Sequence, residues 1–227
     1  MAYLLAGISA GGQYALIAIG YTMVYGILRL INFAHSDVFM VAGLLVVYLQ
    51  TSMPFYASIP IAILLTVLLA FLIEKCAYKP LRSAPRMSAM ISAIGVSYLI
   101  QNVALYVTGG LPKPYPTLPF LVKNVTVLGA TTNMVTIITP FIALALVVVL
   151  VLLINKTKIG MAMRASSVDF ETARLMGIKI NSVISMTFVI GAFLAAAGSV
   201  LYFNNYPSVI PTSGAMPGLR AFVAAVV

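Results

Sequence analysis

Long apolar stretches follow one another along this chain with only short polar breaks between them. Six are complete: Ala2–Leu28, Val38–Tyr56, Ile59–Ile73, Met87–Val107, Met134–Ile154 and Val183–Phe203. A seventh begins near Gly218. A hydrocarbon core about 30 Å thick needs about 20 helical residues to cross it. Ile59–Ile73 is short for that length, and its start can reach back through Pro54. An open sheet cannot satisfy its backbone polar groups in lipid, so every stretch is read as a helix. The expected fold is all-α: a polytopic transmembrane bundle of about six complete spans plus the start of a seventh, forming one domain over 1–227.

Composition agrees. The chain is 62% hydrophobic and only 7% charged, where a soluble domain carries about 25% charged residues. So few charges cannot build a solvated surface, and the same composition excludes disorder. The net charge of +9 does not point to nucleic acid, because the basic residues sit in short loops between apolar runs. Membrane lipid, not nucleic acid, is the expected environment. No basic stretch precedes the first apolar run, which is therefore expected to remain as a membrane helix. The single cysteine, Cys76, excludes an intrachain disulfide.

Basic residues also orient the chain. Lys75, Lys79, Arg82 and Arg86 share one loop, and Lys156, Lys158, Arg164, Arg174 and Lys179 share another. With six spans both loops fall on one side, together with Arg29. The other side receives Lys113, Lys123 and Arg220, a split of ten against three. The richer side is read as cytoplasmic, which places the N-terminus outside. The long connection Thr108–Asn133 then lies outside, and its prolines and Gly109-Gly110 predict an irregular, stiff excursion.

Two runs carry small residues at helix-contact spacing. Gly7 and Gly11 form a GxxxG, and Gly191, Ala195, Ala196, Ala197 and Gly198 make a similar face on the sixth run. Such faces let helices approach closely. Helix-to-helix packing and no specific packing are both open for Gly7 and Gly11.

The sequence holds no phosphate-binding loop, no HExxH and no CxxC, and its one histidine, His35, cannot form a metal site alone. No catalysis, cofactor or metal is expected of this chain. If ATP powers it, the ATPase is another polypeptide.

The most informative segment is a polar island between the last two long runs, 155–181. Ser166-Ser167-Val168-Asp169 has capping-box spacing and predicts a short helix starting there. Asp169 and Glu171 suit the positive end of its dipole. Gly177 is placed to end it. Glu171 and Arg174 are spaced to pair, and Phe170, Ala173 and Met176 recur as an apolar stripe. Such a helix can seat in a groove on a soluble partner or lie on the membrane surface. A second polar segment, Asn32–Asp37, lies between the first two runs. Ser36 or Asp37 can cap the second helix, with Arg29 neutralising Asp37. Alternatively His35 and Asp37 form a second contact with a cytoplasmic partner.

Glu171-Thr-Ala-Arg-Leu-Met-Gly177 resembles the EAA-x-x-x-G signature of ABC importer permeases, with Thr172 in the first alanine position. The I-x-L-P that follows it in generic permeases is absent. The wider context, from Arg164 through Leu175-Met-Gly-Ile178 to Thr187-Phe-Val-Ile-Gly-Ala192, resembles permeases of branched-chain amino acid importers. So do Tyr14 to Gly26, Asn32-Phe-Ala-His35, Glu74-Lys75, Tyr78-Lys-Pro-Leu-Arg82 and Ser92-Ala-Ile-Gly95, with Ser36 replacing a usual glycine.

That resemblance covers nearly the whole chain and implies a good deal. The chain would be the permease subunit, in a bacterial inner membrane, of an importer for leucine, isoleucine and valine. Arg164, Asp169, Glu171, Ala173, Arg174 and Gly177 would form the coupling segment that docks on the ATPase. The implied partners are two ABC ATPase subunits, a second related permease and an extracytoplasmic amino acid binding protein. Family members continue past the position of Val227, so the chain is expected to be truncated.

Polar residues inside the spans, Gln13, Tyr21, Thr22, Gln101 and Asn102, are candidates to line a pathway, with interhelical hydrogen bonding as the alternative. Three other readings remain: a non-transporting membrane scaffold, an ABC permease for another small solute such as urea or a sugar, and an ATP-independent secondary transporter or channel. Against the latter stands the lack of an intramembrane carboxylate relay.

Overall fold

The computed structural model describes residues 2–28, 30, 32–82, 84–117, 119–127 and 130–226. In chain order the elements are α1 (Ala2–Leu28), α2 (His35–Gln50), α3 (Phe55–Ile73), α4 (Arg86–Thr108), β1 (Lys113–Pro114), α5 (Pro119–Val122), β2 (Asn124–Val127) and β3 (Ala130–Asn133). There follow α6 (Met134–Lys156), α7 (Lys158–Val168), α8 (Phe170–Leu175), α9 (Ile180–Asn205), β4 (Ser208–Val209) and α10 (Ala215–Val226). A π-helical turn, Glu74–Tyr78, continues α3.

Among the described residues five helices are long and apolar enough to span a bilayer: Tyr3–Leu28, Phe55–Tyr78, Met87–Thr108, Met134–Lys156 and Ile180–Asn205. The chain is therefore a multi-pass helical bundle, as its apolar runs predict. One expected boundary is wrong. The run Val38–Tyr56 is not one helix, because a turn at Thr51–Met53 ends α2 and Pro54, in extended conformation, starts α3. Tyr56 belongs to α3, and Ile59–Ile73 does reach back to Pro54. Proline is tolerated there because the first helical N–H groups have no partner to lose.

α2 has 16 residues and rises only about 24 Å. It can be short because it starts inside the bundle. His35 lies against Gly20 of α1 and Gly191 of α9, and Gly20 sits eight residues before the end of α1, about 12 Å up its axis. α10 begins at nearly the same point, with Gly214 and Gly218 against Ser36. Phe222 then packs near Tyr21 and Phe33. Two short helices thus start from one place within the bundle and run to opposite ends. Arg220, expected on the outer loop, instead lies in α10 and donates to the Tyr14 hydroxyl at 2.9 Å.

α9 is the central helix, and α1, α2 and α3 pack around it. In lipid there is little hydrophobic force between helices, so close van der Waals fit holds the bundle together. The small face of α9 provides that fit at Gly191 and at Gly198, which lies against Leu16, Ile17 and Gln13. Gly43 of α2 leaves room for the ring of Phe203. Phe203 also meets Phe39 and stacks on Tyr115, each at 5.6 Å between centroids. Gly7 and Gly11 approach nothing within 4 Å, so the GxxxG serves no contact among the described residues.

The two ends of the bundle differ. At one end β1 pairs with β4, and β2 pairs with β3 in a hairpin. The connection Thr108–Asn133, expected to be irregular, is thus partly ordered by short strands. At the other end stand the π turn, the α3–α4 loop, α7 and α8.

Candidate functional site

The end of the bundle with α7 and α8 offers a short helix held out from the spans. Its support begins at the corner between α6 and α7. Thr157 caps α7: its hydroxyl accepts from Gly160 N at 3.1 Å and donates to Leu153 O at 2.6 Å. Gly160 sits so close to the Ile154 backbone that a side chain would strike it. Arg164 reaches back to Asn155 Oδ1 at 2.7 Å. The capping box expected at Ser166 is therefore displaced. Ser166–Val168 are the last residues of α7, and the short helix α8 starts at Phe170, with its cap three residues after Ser166.

Asp169 is the true cap of α8. Its backbone is extended, its carboxylate accepts from Glu171 N at 3.0 Å, and it also accepts from the Thr172 hydroxyl. At the other end Gly177 has φ 84°, its N–H donates to Arg174 O at 3.0 Å, and Ile178 N–H donates to Ala173 O at 3.1 Å. This double bond pattern around a left-handed glycine closes a helix without orphan carbonyls. Sequence reasoning named both Asp169 and Gly177.

The apolar stripe divides differently from expectation. Ala173 is buried and Phe170 half-buried against the bundle. Met176, expected beside them, is 79% exposed, and Leu175 is 87% exposed. Ala173 is therefore an anchor of α8 against the bundle, whereas Val168, Leu175 and Met176 with Glu171 and Thr172 form the outer surface. Glu171 and Arg174 are both exposed and make no ion pair with each other; the one ion pair among the described residues lies elsewhere. α8 stands between two clefts. One, of about 570 Å³, is lined by Leu28, Tyr78, Arg82, Ser166 and Phe170. The other, of about 690 Å³, is lined by Glu171, Arg174, Lys179 and Asn181.

The Thr172 hydroxyl and the Glu171 N–H hold the Asp169 carboxyl below the usual carboxylate range. A depressed folded-state pKa makes the cap complete above the ordinary value of 3.8 and loses it only as pH falls through the lowered value. A spin label at Leu175 is expected to keep one mobility from about pH 8 to about pH 5 and to loosen only in stronger acid. Loosening between about pH 8 and 6 would contradict the cap.

The second segment, Asn32–Asp37, turns inward. His35 is 3% exposed and Asp37 1% exposed, so neither is presented at the surface of this chain. Asp37 does not cap α2. It lies in the first turn and accepts from Ser97 Oγ at 2.5 Å and from Gln101 Nε2 at 3.0 Å, both on α4. An acid suits that end of the helix dipole, and the two donors satisfy a carboxylate that burial would otherwise penalise. Arg29, its expected neutralising partner, lies outside the described residues.

The branched-chain amino acid transport system permease component family matches residues 3–227. The chain belongs to that family. It is 37% identical to the high-affinity branched-chain amino acid transport system permease protein BraD of Pseudomonas aeruginosa, over 97% of this chain and 76% of that protein. It is 38% identical to the permease protein LivH of Escherichia coli over the same shares. A xylose/arabinose import permease of Sulfolobus acidocaldarius is 28% identical over 51% of this chain and 30% of its own length. No solved structure matches.

In this permease the five intramembrane polar candidates have separate partners. Gln13 donates to Leu201 O at 3.3 Å and lines a small cavity of about 130 Å³ with Ser9, Thr136 and Asn205. Tyr21 meets His35 edge to face at 4.7 Å between centroids. Gln101 is committed to Asp37 and Ser97. Thr22 and Asn102 face outward and bond to their own helices, at Ile19 O and Tyr98 O.

The permease also has polar groups that sequence reasoning left without a role. Glu74 is 0% exposed. It is ion-paired with Arg82, which also donates to Asn181 Oδ1, and it accepts from Ser185 Oγ at 2.7 Å. Tyr78 donates to Asn32 Oδ1 at 2.6 Å. One signal was available: a lone acid that ends a long apolar run, followed eight residues later by arginine in the same loop.

Proposed function

We propose that this chain is the membrane-spanning subunit of an ATP-binding-cassette importer that moves leucine, isoleucine and valine inward. The observation that carries the reading is kinship to branched-chain amino acid permeases over 97% of this chain and 76% of theirs. The sugar permease matches only half of the chain and more weakly, so it is the lesser guide to the solute.

The α7–α8 end is assigned to the cytoplasm. Lys75, Lys79, Arg82, Lys156, Lys158, Arg164, Arg174 and Lys179 gather there, which agrees with the bias of positive charge toward that side. The opposite end, with the β2–β3 hairpin, would face the extracytoplasmic binding protein, and the N-terminus would lie outside. α8 would seat its outer surface, Glu171, Leu175 and Met176, in a groove of a separate ATPase subunit. Two such ATPases, this permease and a second related one complete the assembly. When ATP draws the ATPases together, α8 moves with them. Being capped at both ends, it moves as a rigid piece, and the spans reorient between inward-open and outward-open.

A cysteine at Leu175, in a Cys76→Ser background because Cys76 is exposed, is expected to crosslink to the ATPase, with a yield that changes on adding ATP. A cysteine at Ala173, which is buried, is expected not to. Equal labelling of both by a lipid-phase reagent, with no crosslink, would place α8 on the membrane surface instead.

A further inference from the structure

The Glu74–Arg82 pair is the one ion pair among the described residues, its carboxylate is fully buried, and the docking reading does not use it. Removing a carboxylate from water is costly, and an apolar residue of similar size is often as stable in such a place. Stability alone is therefore a weak reason for Glu74 to stand there. What the pair provides is a joint between separate elements. Glu74 opens the π turn, whose bond from Lys79 N to Glu74 O, 2.8 Å, swings the chain out of α3. That swing returns Arg82 to Glu74. π turns of this kind are often placed at functional sites.

The other half of the joint is α9. Asn181 and Ser185 are four residues apart on its first turns and so share one face. Asn181 receives Arg82, and Ser185 donates to the second Glu74 oxygen. Both stand just beyond Gly177–Lys179, the link through which α8 pulls on α9. The α3–α4 loop that carries Arg82 leads directly into α4. Half of α4 is exposed, and besides apolar packing at Ala93, Ile100 and Ala104 it is tied to the bundle by polar bonds, among them Ser97 and Gln101 to Asp37 and Tyr48 Oη to Val107 O.

We infer that Glu74 and Arg82 are positioning residues forming a strut, which carries displacement of α8 from the first turns of α9 to the end of α3 and the start of α4. The inference rests on the reading of α8 as the ATPase-docking element. Without the strut, α8 and α9 can move while α3 and α4 lag, and ATP is hydrolysed with little solute moved.

The test uses the complete transporter in proteoliposomes, with radiolabelled leucine and its binding protein outside and ATP inside. It compares wild type, Arg82→Lys, Asn181→Ala and Glu74→Gln for leucine moved per ATP hydrolysed. Asn181 is exposed, so its variant folds whatever becomes of Glu74→Gln. Arg82→Lys keeps the charge but loses the fork that reaches two partners at once. Arg82→Lys and Asn181→Ala are expected to assemble fully, keep basal ATP hydrolysis and lower leucine moved per ATP by about fivefold or more. An unchanged ratio in both variants overturns the strut. So does a loss of uptake and hydrolysis in step with a loss of assembled complex, which marks a merely structural pair. A wild type with no ATP-linked uptake overturns the docking reading, and the strut with it, whereas coupled wild type with coupled variants overturns the strut alone.

Discussion

Uptake by the assembled transporter is expected to fall at least tenfold in Gly177→Val, while the variant inserts and accumulates like wild type. The reason is the backbone alone. Gly177 has φ 84°, a region that L residues enter at a cost of about 1–3 kcal/mol and β-branched ones worst of all. A Cβ there would meet no atom within 4 Å, so the backbone conformation and not crowding at Cβ sets the cost. Relieving the strain means giving up the bonds from Gly177 N to Arg174 O and from Ile178 N to Ala173 O, which close α8. α8 would then reach its partner frayed or turned. Gly177→Asn separates this account from a general intolerance of substitution. Asparagine visits the left-handed region at lower cost, so it should retain most of the uptake. Equal loss in both variants would point to a need for a bare backbone at the partner's surface.

Gly160→Val is expected to be as damaging by a different route. A side chain at Gly160 would run into the carbonyl and Cα of Ile154, and a backbone cannot swing aside as a side chain can. Overpacking of this kind costs about 1–3 kcal/mol, sometimes more. The strain is expected to be released by tilting α7 away from α6 and carrying α8 with it. Uptake should drop more than about tenfold. Trypsin should cut at Lys156 or Lys158 in membranes where the wild type resists. Wild-type uptake and unaltered cleavage would show that the corner accommodates a side chain and that α7 does not set the position of α8.

The long spans were legible because lipid imposes one demand, a run of apolar residues long enough to cross, and the sequence displays it directly. The end of α2 was harder to read. Val38–Tyr56 is nearly continuous in apolarity, and only Thr51, Ser52 and Pro54 hint at the turn. The depth at which α2 starts was not legible at all, because it depends on Gly20 and Gly191 meeting His35 from two distant helices. At the candidate site, the ending of α8 at Gly177 was readable since a helix cap is local chemistry, whereas Asp169 was placed near the start of the helix but the cap itself was expected at Ser166. α7 was not readable. Ser166-Ser167 looks like the start of a helix, and only the buried Gly160, Met163 and Ser166 show that a helix already passes through it. The facing of Ala173 and Met176 was lost for the same reason, since a six-residue helix gives too little periodicity to fix which side is buried. Arg82 was counted as a loop charge and Glu74 entered only within a family match, neither with a partner. Their partners, Asn181 and Ser185, lie about a hundred residues further along the chain, beyond the reach of any spacing rule.

The central claim is that this permease moves branched-chain amino acids at the expense of ATP hydrolysed by other chains. Leucine uptake into proteoliposomes holding the permease with its partner permease and ATPases tests it most directly. Accumulation should require ATP inside and the binding protein outside, should be blocked by excess isoleucine or valine, and should be unaffected by collapsing the ion gradients. Uptake that proceeds without ATP and stops when the ion gradients are collapsed would contradict the account.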